Sequence, residues 1–232
     1  MTEQNQQQTT FIPASINETN RIDVMALTIG DGPAITLTVN GGECVVIAGP
    51  SGSGKSRLLR TVADLDPGPA DRTGVIRLDG IDHLDYSGVE WRRRVAYLAA
   101  ESQWWFDDVA SHFPVLPSAE DLQALGLPTT LLQQAVRRLS TGERQRLALL
   151  RLLAGKPRVL LLDEPTAALD PRSTRAVERL VTDYRIRNQA AVIWVSHDVG
   201  QARRIASRYF SFDGGYFVET NVDELRTDEE SL

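Results

Sequence analysis

The sequence of 232 residues has little of what marks several large classes of protein. Its single cysteine, Cys44, excludes an intrachain disulfide and a four-cysteine zinc site. No run approaches the roughly 18 apolar residues that a membrane span needs, and the nearest candidate, Leu147 to Ala154, is interrupted by Arg151. Acidic residues outnumber basic residues, with 31 Asp and Glu against 25 Lys and Arg. The resulting formal charge of −6 disfavours a protein that coats nucleic acid.

The first ten residues, MTEQNQQQTT, have neither the basic start nor the apolar stretch of a secretory signal. We therefore expect a cytoplasmic protein that reaches the cytoplasmic face of a membrane only through a partner subunit. The rest of the composition is ordinary for a globular protein, since 42% of the residues are hydrophobic and 24% are charged.

Short apolar runs alternate with helical patterns along most of the chain. Glu43 to Ala48, Arg158 to Leu162 and Ala191 to Val195 are predicted to be buried strands, and each precedes a loop and a helical stretch. This alternation predicts an α/β fold with a mixed or parallel sheet and flanking helices. Two further runs, Arg21 to Thr28 and Ala34 to Asn40, predict an antiparallel β region before the core.

The segment from about 104 to 140 departs from this alternation. It is rich in proline and predicts two short helical pieces, Ser118 to Leu125 and Thr129 to Arg138, which we interpret as a small helical subdomain inserted into the core. Residues 21–222 are predicted to form one domain. Residues 1–20, rich in Gln and Thr, and the acidic residues 223–232 are predicted to be flexible tails.

The residues from Gly49 to Ser56 read GPSGSGKS and fit the phosphate-loop pattern G-x-x-x-x-G-K-[ST] between a strand and a helix. Such a loop turns successive N–H groups toward a phosphate, and the following helix adds its positive N-terminus. Lys55 is predicted to reach the β- and γ-phosphates and Ser56 to bind Mg²⁺. The alternative is a plain Gly/Ser turn. The candidate nucleotide-binding residues here are Gly49, Pro50, Ser51, Gly52, Ser53, Gly54, Lys55, Ser56 and Arg57.

The apolar strand Leu160 to Leu162 ends in two carboxylates, Asp163 and Glu164. Ligands of open α/β sheets bind at strand ends. Asp163 is therefore the second candidate ligand of Mg²⁺, and Glu164 is the candidate base that polarises a water for attack on the γ-phosphate. The alternative is that both side chains cap the next helix.

Three further segments complete a resemblance to the ABC-type ATPases. Leu139 to Arg146 (LSTGERQR) resembles the family's signature, Ala168 to Asp170 its D-loop, and Trp194 to Asp198 its switch-histidine segment. Together with the phosphate loop they occur in the family's order over residues 22 to about 213. GTP-binding proteins are disfavoured because the sequence contains no Asn-Lys-x-Asp motif.

The resemblance implies a P-loop NTPase core in which two copies form a sandwich around ATP. The signature of one copy then covers the nucleotide of the other, and His197 contacts the γ-phosphate and the attacking water. The implied catalytic residues are Lys55, Glu164 and His197. The implied signature residues are Ser140, Thr141, Gly142 and Glu143. His83 and His112 match no motif and are expected at the surface.

The sequence departs from the family pattern at two places. The position of a glutamine that helps to hold Mg²⁺ and links the site to the partner is Ala100, so Glu101 or Gln103 substitutes for it or the contact is missing. No aromatic residue precedes the phosphate-loop strand to stack on adenine. Leu27 or Ile29 is left as an apolar platform, and loose base selectivity is expected.

Three consecutive aromatic residues, Trp104 to Phe106, either pack the helical subdomain onto the core or line a groove for a partner. In transporters of this family that region receives a short helix of the membrane subunit. The resemblance is strongest to compact bacterial subunits of the iron-export (YbbL/FetA-like) group. We therefore expect an ATPase that energises a separate membrane-spanning permease. The alternative is a soluble ABC-type ATPase or a nucleotide-dependent regulator with low turnover.

Overall fold

The structure, a computed structural model, describes residues 20–66, 72–213 and 215–221. The predicted tails, 1–20 and 223–232, lie outside the described residues except for Asn20. The described residues form ten strands, six α-helices and several short 3-10 helices. None of these helices is long and apolar enough to cross a membrane.

The central sheet has six strands in the order β10-β9-β3-β8-β7-β6, and all neighbours are parallel except β9 and β10. Every residue of β3, β7 and β8 is buried, which explains why these strands appear in the sequence as continuous apolar runs. The three predicted core strands are confirmed. The strands are β3 (Cys44–Ala48), β6 (Val95–Leu98), β7 (Val159–Asp163), β8 (Ala191–Val195), β9 (Arg208–Asp213) and β10 (Tyr216–Thr220).

The second sheet has four antiparallel strands in the order β2-β1-β4-β5. It confirms the antiparallel region expected from the sequence. A bulge in β1 at Ala26, whose φ is 48°, lies against Gly74. A Cβ at Gly74 would come within 2.6 Å of the carbonyl oxygen of Ala26, so this crossing requires glycine. The strands are β1 (Asn20–Ile29), β2 (Ile35–Asn40), β4 (Arg72–Leu78) and β5 (Ile81–Asp82).

Successive residues of the central strands point into two separate cores, as the two-residue period of a strand requires. Val45 and Ile47 face α1 and the antiparallel sheet, whereas Cys44 and Val46 face α4, α5 and the 104–140 region. The central sheet is thus covered on both faces, and its strand ends meet at one edge. The helices are α1 (Lys55–Val62), α2 (Gly88–Arg94), α3 (Ala119–Ala124), α4 (Thr141–Ala154), α5 (Pro171–Asn188) and α6 (Val199–Ile205).

The region between β6 and α4 contains α3 and three 3-10 helices. The helix predicted over Thr129 to Arg138 is wrong, because the segment forms two 3-10 helices, Thr129–Gln133 and Val136–Arg138. Residues 134–136 between and beside them pair with residues 107–109 through three contacts. Gln134 accepts from the N–H of Val109 at 3.1 Å, Val136 donates to Asp107 at 2.8 Å, and Asp108 bridges Ala135. These pairings take the backbone groups that a continuous helix would use.

Candidate functional site

The carboxyl ends of β3, β7 and β8 meet at one edge of the central sheet. Ile47 of β3 and Asp163 of β7 are both paired with Val195 of β8. The segments that follow these strands, the phosphate loop, the Asp163–Glu164 pair and the turn carrying His197, therefore lie side by side. The structure brings together the predicted catalytic residues of one chain.

The phosphate loop owes its curl to three glycines in the left-handed region, with φ of 141° at Gly49, 81° at Gly52 and 100° at Gly54. A Cβ at Gly49 would lie 3.0 Å from the backbone oxygen of Phe212, whereas none would be hindered at Gly52 or Gly54. Gly54 is the N-cap of α1, and no side chain caps this helix. The backbone N–H groups of the first turn of α1 therefore remain available to an anion.

Lys55 is the first residue of α1, and it is buried. Its Nζ donates to the carbonyl oxygens of Gly49 at 2.8 Å and Pro50 at 2.9 Å. Burial lowers the pKa of Lys55, and the charges of Glu164 and Asp163 oppose this shift. The ammonium group thus faces both carboxylates across the site.

Asp163 ends β7 and is buried, and its carboxylate accepts a hydrogen bond from the Tyr97 hydroxyl at 2.9 Å. Burial and the neighbouring Asp163 charge raise the pKa of Tyr97, so the phenol remains a donor. Sequence reasoning did not find this contact, because nothing in the pattern of β6 identifies a tyrosine that reaches the neighbouring strand.

Glu164 has a left-handed backbone conformation, with φ of 45°, and its N–H donates to Val195. Its carboxylate Oε1 lies 2.9 Å from Nε2 of His197. The side chains of Glu164 and His197 are 32% and 47% exposed, so both are accessible to a water molecule and a ligand. The predicted base and the predicted switch histidine thus form one pair, and their side chains lie next to a cavity of about 450 Å³.

A buried polar network lies directly behind this pair, centred on Gln201 at the start of α6. Gln201 is 1% exposed. Its Oε1 accepts from the Ser196 hydroxyl at 2.8 Å, and its Nε2 donates to Thr166 and Glu178 at 3.0 Å each. Glu178 also accepts two hydrogen bonds from Arg204, at 2.8 and 3.1 Å. The network ties the residue before His197 to the turn after Glu164, and sequence analysis missed it because its members are scattered over four segments.

The predicted signature opens α4, and Ser140 is its N-cap. Ser140 and Glu143 form a capping box, in which Ser140 Oγ accepts from the Glu143 N–H at 3.2 Å and Glu143 Oε2 accepts from the Ser140 N–H at 2.8 Å. Ser140 and Thr141 are exposed. A Cβ at Gly142 would lie 3.0 Å from Leu169 Cδ2, so the signature packs against the predicted D-loop of the same chain.

The D-loop ends at Asp170, which caps α5. Its carboxylate accepts from the N–H groups of Arg172 and Ser173 at 2.9 and 3.0 Å and from the Ser173 hydroxyl at 2.6 Å. The Ser173 hydroxyl bond lowers the pKa of Asp170. The loop between Glu164 and α5 is thereby held at both ends.

The two departures from the family pattern have clear structural consequences. Ala100 is exposed, and the side chain of Gln103 makes only a 3.5 Å contact with the carbonyl oxygen of Glu101. Of the two platform candidates, Leu27 is 1% exposed and belongs to the core, whereas Ile29 is half-buried. The hypothesis that Leu27 contacts a base is therefore wrong, and Ile29 remains.

Of the three consecutive aromatic residues Trp104 to Phe106, one packs against the core and two are exposed, as expected for a partner groove. Trp104 packs against the core, whereas Trp105 and Phe106 are 63% and 50% exposed. His112 holds this segment, because its Nε2 accepts from the N–H groups of Trp105 and Phe106 at 2.9 Å each. The surface position expected for His112 is wrong, since it is 4% exposed and its ring lies against all three aromatic rings.

Trp105 borders an apolar groove of about 530 Å³, which we call the aromatic groove. Arg151 stacks on Trp104 and Trp105 at 4.7 Å each, and its Nη2 donates to Gln103 O at 3.0 Å. Its other terminal nitrogen, Nη1, is buried and has no hydrogen-bond partner within the described ranges. Burial lowers the pKa of Arg151. Among the residues that line the groove are Tyr97, Trp105, Val115, Arg151 and Leu152.

The oxygen donors of the site fit Mg²⁺. Asp163 supplies a carboxylate beside Lys55, and Ser56 supplies an exposed hydroxyl at the start of α1. Over residues 20–66, 72–213 and 215–221, no cluster of three or more His, Cys, Asp and Glu side chains is suited to hold a metal. A carboxylate and a hydroxyl suit Mg²⁺, which prefers oxygen ligands and usually completes its coordination with phosphates and water.

Comparison with known proteins supports the resemblance to ABC-type ATPases. Residues 33–167 match the family model described as ABC transporter. The chain is 36% identical over 197 residues to Protein STAR1 of Oryza sativa subsp. japonica, a match that covers 80% of this chain and 56% of STAR1. It is 33% identical over 176 residues to the "Probable iron export ATP-binding protein FetA" of Escherichia coli strain K12, covering 71% of this chain and 76% of FetA. The chain thus spans little more than half the length of STAR1.

The fold also has a counterpart among solved structures. The structure of cbiO1 from Clostridium perfringens, described as part of the ABC transporter complex cbiONQ, superposes with a TM-score of 0.73. It covers 92% of this chain and 93% of cbiO1 at 23% sequence identity. The likeness confirms the predicted α/β fold with a mixed sheet and an antiparallel β region.

Proposed function

Because the chain belongs to the ABC transporter family, we propose that it is an ATP-binding and ATP-hydrolysing subunit that energises a separate membrane-spanning permease. The observation that carries this proposal is the pair formed by Glu164 and His197 at 2.9 Å, beside a phosphate loop whose Lys55 faces the same carboxylate. A site that only bound nucleotide would need the loop but not this pair.

The proposed roles follow from the positions of the side chains. The backbone of the phosphate loop and Lys55 bind the phosphates, while Ser56 and Asp163 hold Mg²⁺. When bound, Mg²⁺ neutralises charge on the phosphate oxygens. Glu164 accepts a proton from the attacking water, and His197, whose Nε2 lies 2.9 Å from Glu164 Oε1, orients that carboxylate and contacts the γ-phosphate.

The active form is proposed to be a dimer of two copies in the ATP-bound state. Ser140 is exposed at the N-terminus of α4, where two backbone N–H groups and the helix dipole favour an anion. The capping box uses Ser140 Oγ and Glu143 within the chain, so the N–H groups of Thr141 and Gly142 are the donors best placed for a phosphate of the other copy. Closure of the two copies completes each site.

The permease is proposed to insert a short helix into the aromatic groove. The exposed Trp105 and the apolar walls suit the apolar face of such a helix. The positive charges of Arg151 and of the neighbouring Arg92 and Arg93, which also line the groove, suit an acidic residue on it. With the permease bound in this way, the chain is proposed to lie at the cytoplasmic face of the membrane. The likeness to FetA supports the expected resemblance to the iron-export group, while the substrate is determined by the permease.

The function is tested with Glu164→Gln, using Lys55→Ala as the contrasting variant. Glu164→Gln keeps the side-chain volume and the phosphate loop, so we expect ATP binding to be retained, hydrolysis to fall by a factor of about 10² or more, and a dimer to accumulate with ATP and Mg²⁺. Lys55→Ala is expected to weaken ATP binding itself. Light scattering after gel filtration, calorimetry and phosphate release give the three readings. Unchanged turnover of Glu164→Gln would contradict the proposed base.

The second candidate, a nucleotide-dependent regulator with low turnover, is favoured by the alanine at position 100 and the buried Leu27. The two functions differ in turnover and partner. A wild-type chain that dimerises with ATP but releases no phosphate over many minutes, and that does not co-purify with a membrane protein encoded beside it, would support the regulator. Loss of co-purification in Trp105→Ala with unchanged ATPase activity in solution would support the transporter subunit.

A further inference from the structure

We propose that Tyr97 is a positioning residue that holds the Mg²⁺-binding carboxylate of Asp163 and links it to the aromatic groove. This inference rests on the proposed function. It assigns to a residue of β6 the connection that the family makes with a glutamine and that this chain lacks at Ala100.

The first observation is the reach of Tyr97 across the sheet. Tyr97 is paired with Leu161 of β7, two residues before Asp163. Its hydroxyl nevertheless donates to Asp163 Oδ2 at 2.9 Å. Across the residues that the structure covers, no other side chain or backbone group donates to this carboxylate. The second carboxylate oxygen is thereby left for the metal, and its direction is fixed by the bond to Tyr97.

The second observation is the position of Tyr97 beside the groove. Tyr97 is half-buried and lines the aromatic groove together with Trp105 and Arg151. A helix that filled the groove would therefore contact the same residue whose hydroxyl holds Asp163. One residue thus connects the proposed partner surface with the proposed metal site, without an intervening chain of contacts.

The third observation is that neither of the two candidate substitutes for the glutamine makes this connection. The amide of Gln103 contacts the backbone of Glu101 at 3.5 Å, and both residues are exposed. Gln145 ties the segment after β6 to α4 by donating to Ala99 O at 2.9 Å. The hydroxyl of Tyr97 is the polar group of this strand and segment that contacts Asp163.

The test compares Tyr97→Phe with Tyr184→Phe. Each variant removes one hydroxyl from a half-buried tyrosine and keeps the ring. Tyr184 lies on α5, outside the proposed site, and its hydroxyl donates to the carbonyl oxygen of Pro157 at 2.8 Å. Titration calorimetry measures ATP affinity in EDTA and in excess Mg²⁺. For wild type and Tyr184→Phe we expect Mg²⁺ to increase the affinity. In Tyr97→Phe we expect the half-saturating Mg²⁺ concentration to rise about tenfold, with the affinity in EDTA unchanged.

The link to the groove is read with a fluorophore. Val115 lines the groove and is 75% exposed, so Val115→Cys accepts an environment-sensitive maleimide dye. The native Cys44 is buried and its pKa is raised to about 12, which keeps it from reacting. We expect ATP with Mg²⁺ to change the emission in the labelled parent and in its Tyr184→Phe derivative. In the Tyr97→Phe derivative, compared at saturating Mg²⁺, most of that change should be lost.

Equal Mg²⁺ dependence in the two tyrosine variants would overturn the assignment of Tyr97 to Asp163. A normal emission change in Tyr97→Phe would overturn the link to the groove. If the wild-type chain binds ATP no better with Mg²⁺ than in EDTA, the proposed function fails, and the inference fails with it. If only the inference about Tyr97 is wrong, the wild-type chain still binds ATP more tightly with Mg²⁺, and Tyr97→Phe still binds ATP in EDTA. The failure of the inference can therefore be distinguished from the failure of the proposed function.

Discussion

Replacement of Gln201 by methionine tests the buried polar network behind the Glu164–His197 pair. Methionine has about the same length and fills the same space, so the change removes hydrogen bonds and leaves only a small cavity term. The matched control is Gln123→Met on α3, where the side chain is exposed. Any difference between the two variants then comes from the network.

The size of the effect follows from the contacts of Gln201. Three partners lose a hydrogen bond, the hydroxyl of Ser196, the hydroxyl of Thr166 and the carboxylate of Glu178. Each lost bond costs about 1 kcal/mol, and a buried group left without a partner costs about 1–3 kcal/mol. Glu178 keeps its two bonds from Arg204, so we expect a total loss of about 3–4 kcal/mol. For a chain of this size that lowers the melting temperature by roughly 6–16 °C.

Urea unfolding followed by circular dichroism measures this loss. We expect the midpoint to fall in Gln201→Met with an unchanged slope, and no shift beyond about 0.5 kcal/mol in Gln123→Met. Because Ser196 precedes His197, we also expect slower ATP hydrolysis with unchanged ATP binding. A loss of stability below about 1 kcal/mol would refute the inference that the network is a stabilising unit. Full hydrolysis activity would show that it does not position His197.

Three further predictions address other parts of the chain. Cys44 should not react with a thiol reagent at pH 8 until the protein unfolds. Its pKa in the folded protein, about 12, exceeds the ordinary value of 9.0, so its contribution to the free energy of unfolding is complete below pH 9 and is lost as the pH rises toward 12. Urea unfolding measured at a series of alkaline pH values would show this loss. With Ile29 as the apolar platform, calorimetric affinities for ATP and GTP should differ by less than about tenfold, the stacking term being absent. Asp170→Ala, which removes the cap of α5, should destabilise the fold by about 1–2 kcal/mol in thermal melts, whereas the neighbouring Arg172→Ala should change it by less than about 0.5 kcal/mol.

The parts of the fold that sequence predicted well are those governed by local chemistry. The strands β3, β7 and β8 are buried on both faces, so their apolar runs are continuous and end where polar loops begin. The phosphate loop is equally local, because its glycines are required by backbone conformation. Both could be inferred from a few consecutive residues.

The parts that sequence mispredicted depend on distant pairing. The pattern from Thr129 to Arg138 favours a helix, but contacts with residues 107–109 interrupt it. His112 matches no sequence motif, yet it is buried, and its Nε2 accepts hydrogen bonds from the backbone N–H groups of Trp105 and Phe106. The bond from Tyr97 to Asp163 joins residues 66 positions apart, and only the register of β6 against β7 brings them together.

The contact between Gly142 and Leu169 has a consequence for how two copies sense each other. A Cβ at position 142 would lie 3.0 Å from Leu169 Cδ2, so the signature and the D-loop of one chain pack closely against each other. In the proposed dimer, the signature covers the neighbour's nucleotide. Loss of a phosphate from one nucleotide would then shift the D-loop that follows Glu164 and, through Leu169, the signature that covers the other nucleotide. The two subunits would therefore open together.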